Sequence, residues 1–331
     1  MTILNLMGVS DDNRSVLAVN ARSIDKSAIL HKGNVSVFEH SFFKKFAVQT
    51  ILLGGEKKSV PFQIARPSLI FNSICDPDTN ANTLDHASRI VEEIGAPVIN
   101  HPAYVKRTRR DAISRLLGDK EHIRVPKTVR IIPKKAAEIP KFAEQLGFSF
   151  PYILRPAGTH GGRGMLLLSD SSKLPELEQF AFDGREYYMT EFVDFRSPDG
   201  LYRKYRFFVI GGEAIPRHMI ASESWNIHSA SRESELYRSR DIMKEEKAFV
   251  DHPPQQSVSL CTTIYETLKL DFFGIDCSID EEGNLLVFEI NACMRYATPD
   301  PKTDPFHQTP KIEKALARLI EEKAGGMQKP R

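Results

Sequence analysis

The feature that most constrains this chain is a pair of apolar β runs towards its C-terminal end, Phe272–Ile279 (FFGIDCSI) and Asn284–Ile290 (NLLVFEI), joined by Asp280-Glu281-Glu282-Gly283. Runs this apolar, bounded by turn residues, predict a hairpin whose faces are both covered. Side chains alternate along a strand, so the face carrying Phe273, Ile275, Cys277, Leu286, Phe288 and Ile290 is expected to be core. The opposite face collects Asp276, Glu289 and Asn291. With Ile279 opposite Asn284, Asp276 is predicted to face Val287, with Glu289 one step diagonal. A slip of one residue would part the two carboxylates. Two carboxylates and an amide oxygen in an apolar hairpin suit Mg²⁺ held between protein and nucleotide phosphates.

The preceding chain supplies a setting for that site. Thr2–Met7, Val48–Leu53 and Ser68–Phe71 read as strands, and Thr83–Ile94 carries Leu84, Ala87, Ile90, Val91 and Ile94 at helical spacing. Asn82 or Thr83 can cap that helix, and Gly95 ends it before the buried strand PVIN. Strand–helix–strand order favours a parallel α/β lobe ending near Pro102. From Tyr104 the composition turns basic (KRTRRDAISRLLGDK), with Ile113, Leu116 and Leu117 as the apolar stripe of a helix. Thr128–Ile132 and Tyr152–Leu154 are expected strands around a helix near Ala136–Leu146, and Ile312–Ile320 is an amphipathic helix.

Two further segments carry chemistry. Gly158, Gly161, Gly162 and Gly164 lie within RPAGTHGGRGMLLLS, between one short strand and another, with no GK[ST]. That context fits a hairpin lid whose backbone N–H groups approach phosphates, rather than a loop at a helix N-terminus. Tyr202–His218 (YRKYRFFVIGGEAIPRH) reads as a hairpin turning at Gly211-Gly212, with Tyr202, Lys204 and Arg206 on one face and Arg217 on the return strand. Basic side chains there suit phosphate or carboxylate. Trp225 and His228 read as packing residues. The ten histidines show no HExxH or Cys-paired spacing, so structural zinc is not expected.

Composition removes several classes. Lys and Arg number 45 against 43 Asp and Glu, a net charge of +2, which gives no global pull towards nucleic acid or membrane. Four dispersed cysteines without CxxC fit a reducing compartment. The start lacks a signal-peptide pattern, and no apolar run approaches the ~20 residues of a membrane span. The expectation is a cytoplasmic protein with no nucleic-acid or membrane partner; a homo-oligomer is left open.

Taken in order (α/β lobe, basic helix, strand–glycine segment–strand, TEFVDF, YRKYRFFVIGG, then FFGIDCS with VFEINAC), the chain resembles the ATP-grasp superfamily, which includes D-alanine–D-alanine ligase, glutathione synthetase and ribosomal-protein glutamate ligases. The resemblance covers roughly Pro97 to Tyr296. It implies an α/β (α+β) ATP-grasp fold with an N-terminal open α/β pre-ATP-grasp lobe. The expected division is 1–103 for that lobe, 104–189 for the first ATP-grasp lobe, 190–325 for the second and 326–331 for a frayed tail. By resemblance Asp276, Glu289 and Asn291 are Mg²⁺ ligands, one or two ions with Mn²⁺ as an alternative, and Glu289 bridges two. Thr190-Glu191-Phe192-Val193 matches the hinge whose backbone at Glu191 and Val193 meets adenine, with Phe192 between them. Gly158–Gly164 matches the loop over the β- and γ-phosphates. Lys204 and Arg206 line the phosphates, Arg206 meeting the transferring group. Arg155 stands where many members carry Lys, and guanidinium clamps phosphate bidentately. Lys106 is the candidate for the first lobe's phosphate-binding lysine, with Arg109 and Arg110 as alternatives. After EIN, Ala292-Cys293-Met294-Arg295 departs from the usual small residues and proline. Arg295 is expected to border the acceptor pocket and grip a carboxylate, with help from Arg217, or else to pair with an acid such as Asp300.

The implied activity is an ATP-dependent carboxylate–amine (or carboxylate–thiol) ligase that activates a carboxylate as an acyl-phosphate and releases ADP and phosphate. Its partners would be small-molecule or peptide carboxylates and amines. The alternatives are an ATP-grasp phosphotransferase acting on a small-molecule hydroxyl, and a nucleotide-sensing module without turnover. The intact acidic triplet speaks against the last.

Overall fold

The structure is a computed structural model that describes residues 1–13, 15–18, 28–54, 66–162, 164–227, 231–232, 236, 240–292, 294–296 and 304–325. The expectations for His228, Cys293, Asp300 and the tail 326–331 lie outside the described residues.

Strand β1 (Thr2–Gly8) is followed by an antiparallel ladder of β2 (Ser15–Ala18) and β3 (Ala28–His31). It then pairs in parallel with β4 (Ala47–Leu53) and β5 (Leu69–Asn72), and β6 (Val98–Ile99) extends the sheet beyond β5. All four residues of β5 are buried, as a parallel strand covered on both faces requires. Helix α1 (Ala81–Ile94) links β5 to β6 and buries Leu84, Ala87 and Val91. Its start differs from expectation. The cap position is Asn80, whose side chain makes no cap bond. Asp11, from the loop after β1, instead accepts from the N–H groups of Asn82 (2.9 Å) and Thr83 (3.2 Å). A carboxylate satisfies those free donors and complements the helix dipole. Gly95 ends the helix at φ 63°, its N–H donating to the Val91 carbonyl.

Helices α2 (Pro102–Val105) and α3 (Arg110–Leu117) and strand β7 (Ile123–Arg124) lead to the second sheet. That sheet contains β8 (Thr128–Ile131), β9 (Tyr152–Pro156), β10 (Leu166–Leu168) and β11 (Tyr187–Glu191), in the antiparallel order β10-β9-β11-β8. With α4 (Ile139–Gln145) it closes a core of its own, built on Tyr152, Leu154, Leu168, Tyr187 and Met189.

The third sheet runs β13-β12-β14-β15-β7. Its long hairpin, β12 (Tyr202–Ile210) and β13 (Glu213–Ser222), turns at Gly211-Gly212, where both φ angles are positive, as a two-residue turn of this hand demands. Helices α5 (Arg240–Asp251) and α6 (Gln255–Leu268) cover it before β14 (Phe272–Ile279) and β15 (Leu285–Ala292). Helix α7 (Thr309–Gly325) buries Ile312, Ala315, Leu316, Leu319 and Ile320, the stripe its spacing predicts. It packs on β12 and also on β5 and β6, so the first and third sheets share one continuous core. A polar latch reinforces that junction. Buried Asn100 accepts from the N–H groups of Asp271 and Phe272 (both 2.9 Å) and donates to the Phe272 carbonyl (2.6 Å). Among the described residues no helix is long and apolar enough to cross a membrane.

Candidate active site

The acidic site is built on the β14–β15 pair, and its register differs from the expected one. Ile279 faces Leu285 rather than Asn284, because Asp280–Asn284 forms the turn. Asp280 accepts from the N–H groups of Glu282 (3.0 Å) and Asn284 (2.8 Å). The ladder then shifts between Asp276 and Cys277, leaving Phe288 as the extra residue of a bulge. Asp276 therefore lies directly opposite Glu289, and Gly274 opposite Asn291. Two of the expected core residues change place as well. Leu286 and Phe288 are only partly buried, and Phe288 packs against Phe195 at 4.8 Å between ring centroids. Phe273, Ile275, Cys277 and Ile290 are buried as expected.

A cavity of about 790 Å³ opens over this face. The loop after β5 contributes Cys75 and Asp76, the second sheet contributes Ile153 and Arg155, and the third contributes Lys204, Arg206, Asp276, Glu289 and Asn291. The glycine segment roofs it with His160, Gly161 and Gly162, joining β9 to β10 as a hairpin with Leu166 opposite Leu154. Gly158, Gly161, Gly162 and Gly164 all have positive φ. Gly162 stands at φ 71°, which other L residues rarely adopt, and a Cβ there would come within 2.6 Å of the Asn226 side-chain oxygen. Part of the lining is apolar and aromatic: Val125, Phe192, Phe195, Trp225, Ile227 and Phe288. Trp225, expected as packing, does pack edge-on to Phe192 (5.7 Å), yet it also lines the cavity.

Cationic groups meet the carboxylates at close range. Arg206 donates to both oxygens of Asp276 (2.6 and 2.7 Å), and Lys204 Nζ stands 3.6 Å away while donating to the Ile227 carbonyl (2.7 Å). Arg110, the first residue of α3, donates to Glu289 (2.7 Å). Burial pushes both carboxyls up, but Arg206 and Lys204 outweigh it at Asp276, and Arg110, His160 and Arg155 do so at Glu289. Both are thereby held ionised, Glu289 well below the ordinary range. Burial, with Arg110 nearby, lowers Arg155 to about 10. Its Nη2 donates to the Thr159 carbonyl, while its buried Nε has no partner. Asn291 Oδ1 is likewise buried without a partner.

The remaining expected residues fall as follows. Lys106 lies off the cavity lining, with its ammonium on Asp85 of α1 at 2.7 Å, and Arg109 is held by Asp111 of its own helix. Arg110 is the member of that basic run that reaches the cavity, because α3 begins there and turns it inward. Thr190, Glu191, Phe192 and Val193 line the cavity at the end of β11. The Glu191 N–H already donates to the Lys127 carbonyl (2.8 Å), and its carboxylate accepts from Arg124 (2.9 Å). Arg295 lines the cavity with an exposed side chain and forms no ion pair with a described residue. Arg217 is buried and bound to Asp304 (2.7 Å) and the Tyr296 carbonyl, and Tyr202 packs with Ile220 and Ile227.

Several participants were not singled out from sequence: Asp76, Asp78, Arg130, His160 and Tyr188. His160 bridges Asp76 (3.0 Å) and Glu289 (3.5 Å). Hydrogen bonds to Asp76 and then to Glu289 raise it to about 9. Its place inside the glycine segment, and the acidic CDPDT run after an apolar strand, were the available signals.

Comparison with known proteins agrees with this geometry. Residues 108–313 match the RimK-like ATP-grasp domain family. The chain is 25% identical over 216 residues (63% of this chain, 70% of the relative) to the alpha-aminoadipate–LysW ligase LysX of Saccharolobus solfataricus. It is 26% identical over 146 residues (43% of this chain, 44% of the relative) to the tetrahydromethanopterin:alpha-L-glutamate ligase of Methanococcus maripaludis. Its fold resembles the RimK domain ATP-grasp protein of Sphaerobacter thermophilus, with a TM-score of 0.54 at 13% identity, covering 97% of this chain and 99% of that one. The chain belongs to the RimK-like ATP-grasp family, and its fold and relatives are those of ATP-dependent carboxylate–amine ligases.

Proposed function

We propose that this protein binds ATP with divalent metal in the cavity and joins a small-molecule or peptide carboxylate to an amine through an acyl-phosphate. One observation supports this reading most: Arg110, Arg155 and Arg206 converge on the Asp276–Glu289–Asn291 triplet beneath a glycine hairpin, in a single cavity whose lining also has an apolar, aromatic part. The apolar part of the lining, with Phe192 and the chain at Glu191 and Val193, suits adenine. The orphaned Nε of Arg155 suits a phosphate oxygen, and the glycine N–H groups suit others.

The donor set fits Mg²⁺. Asp276 and Glu289 face each other across one strand pair, and the unpartnered Asn291 Oδ1 is a third hard oxygen. When bound, the metal would neutralise phosphate charge. The arginines now paired with those carboxylates are placed to turn to phosphate. The substrate carboxylate oxygen attacks the γ-phosphorus and ADP leaves. The amine then attacks the acyl carbon, phosphate departs, and the amine loses a proton. Arg206 and Arg155 stabilise the transferring group, and the glycine hairpin keeps water from the acyl-phosphate. Arg295 would grip a substrate carboxylate with two parallel hydrogen bonds.

The test is an ADP-release screen over amino acids, small dicarboxylates and short peptides, with mass analysis of products. Amide plus free phosphate is expected. A phosphorylated hydroxyl would move the assignment to a phosphotransferase, and no nucleotide binding at all would refute both.

A further inference from the structure

Resting on that nucleotide reading, we propose that Asp76 and Asp78, in the loop between β5 and α1, are positioning residues that dock the glycine hairpin over the phosphate site. Three contacts run from this loop to that hairpin. Asp76 Oδ2 is 3.0 Å from His160 Nε2. The Gly158 N–H donates to Asp78 Oδ2 (3.3 Å). Thr79 lies so close to Gly158 that a Cβ there would come within 2.7 Å of its methyl group. Asp78 also accepts from the Tyr188 hydroxyl (2.6 Å) and from Arg130, so the same carboxylate ties β11 and the edge strand β8 of the second sheet.

The loop is tied down by its own hydrogen bonds. The Asp78 N–H donates to Asp76 Oδ1 (2.9 Å), the Asn80 N–H donates to the Asp76 carbonyl (3.1 Å), and the Asp11 N–H donates to the Thr79 carbonyl (2.8 Å). The loop belongs to the first sheet, which shares its core with the acidic hairpin. The glycine hairpin belongs to the second sheet, whose core is separate, and it has few apolar anchors. The carboxylates of Asp76 and Asp78, both almost fully buried, are thus the ties that set the lid's height above Asp276 and Glu289. This contact is polar and small, as a joint that must open for nucleotide exchange requires.

Asp76→Asn keeps the oxygen that accepts from Asp78 and removes the charge facing His160. Asp78→Asn weakens the tie to Gly158 and Tyr188. Each variant and the wild type would be titrated calorimetrically with a non-hydrolysable ATP analogue plus Mg²⁺, and tryptic nicking of the glycine segment followed with and without it. The expected result is analogue affinity lower by about tenfold, the size of one lost charge-assisted hydrogen bond. Analogue would no longer protect the segment, while the melting temperature of Asp76→Asn stays near that of the wild type. Asp76→Glu should restore protection in part. Unchanged affinity and protection in a folded Asp76→Asn would overturn the proposal. So would a loss of melting temperature in both variants with analogue binding intact, which would mark the ties as lobe packing only. Failure of the wild type to bind the analogue would instead refute the nucleotide reading.

Discussion

Asp276 and Glu289 face each other across β14 and β15 because Phe288 bulges out of the ladder between them and the turn. Without that bulge the ladder set at the turn would put Asp276 opposite Phe288 and turn Glu289 to the other face, so the two carboxylates would part. Arg206 and Arg110 each hold one of them at hydrogen-bonding distance.

Glu289→Gln removes one negative charge at nearly constant volume. Turnover should fall by at least about a hundredfold, the loss typical when a metal's coordination or its supporting shell is disturbed. The fold should persist, because Arg110 can still donate to the amide oxygen. ADP release at wild-type rate and ordinary Mg²⁺ would reject the site assignment.

Arg295→Met keeps the stem and removes the charge. Because Arg295 is exposed in the cavity and unpaired with described residues, thermal stability should barely change. KM for the carboxylate substrate should rise steeply while KM for ATP stays put. A lowered Tm with unaltered substrate KM would make Arg295 structural.

Arg217→Met is the contrasting case. Its partner Asp304 is mostly buried, and breaking a buried pair costs about 3 kcal/mol. Burial raises the Asp304 carboxyl, but hydrogen bonds from Thr309, then Arg217, bring it below its ordinary value. A depressed folded value means stability present above the unfolded value of about 4 and lost as pH falls through the folded one. The Tm gap between wild type and variant should therefore be wide at neutral pH and close under acid. A gap independent of pH would contradict the pair.

Burial pushes the Cys261 thiol up to about 12 and Cys277 well above its usual range. Thiolate is the reactive form, so iodoacetamide at mildly alkaline pH should leave both unmodified until denaturant is added. Peptide mapping by mass spectrometry reads this directly. Labelling of Cys277 in the native protein would argue against its place on the core face of β14.

Much of this molecule follows from local periodicity. Alternation along FFGIDCSI and VFEIN puts Asp276, Glu289 and Asn291 on one face in the expected register. The observed turn is one residue out of that register, and the bulge at Phe288 adds the second one-residue shift that restores the shared face. The stripe at Ile312–Ile320 and the turns at Gly95 and Gly211-Gly212 are likewise written in neighbouring residues. The choice of Arg110 over Lys106 was not, because it depends on where α3 starts and on Asp85 of α1 capturing Lys106.

What the sequence by itself determined was therefore the strands and helices with a clear apolar period, such as β1, β14 and α7, and the chemistry the acidic residues invite, because those rest on spacings of two to four residues. Helices α5 and α6 and the β2–β3 ladder were not read from it. The tertiary structure alone decided the opposed pairing of Asp276 with Glu289, the placing of Arg110, and the meeting of Asp76 with His160. That last pair is 84 residues apart along the chain. Such contacts depend on how three sheets pack and on which charge reaches which partner first in a low-dielectric cleft. No local pattern of side chains carries that information.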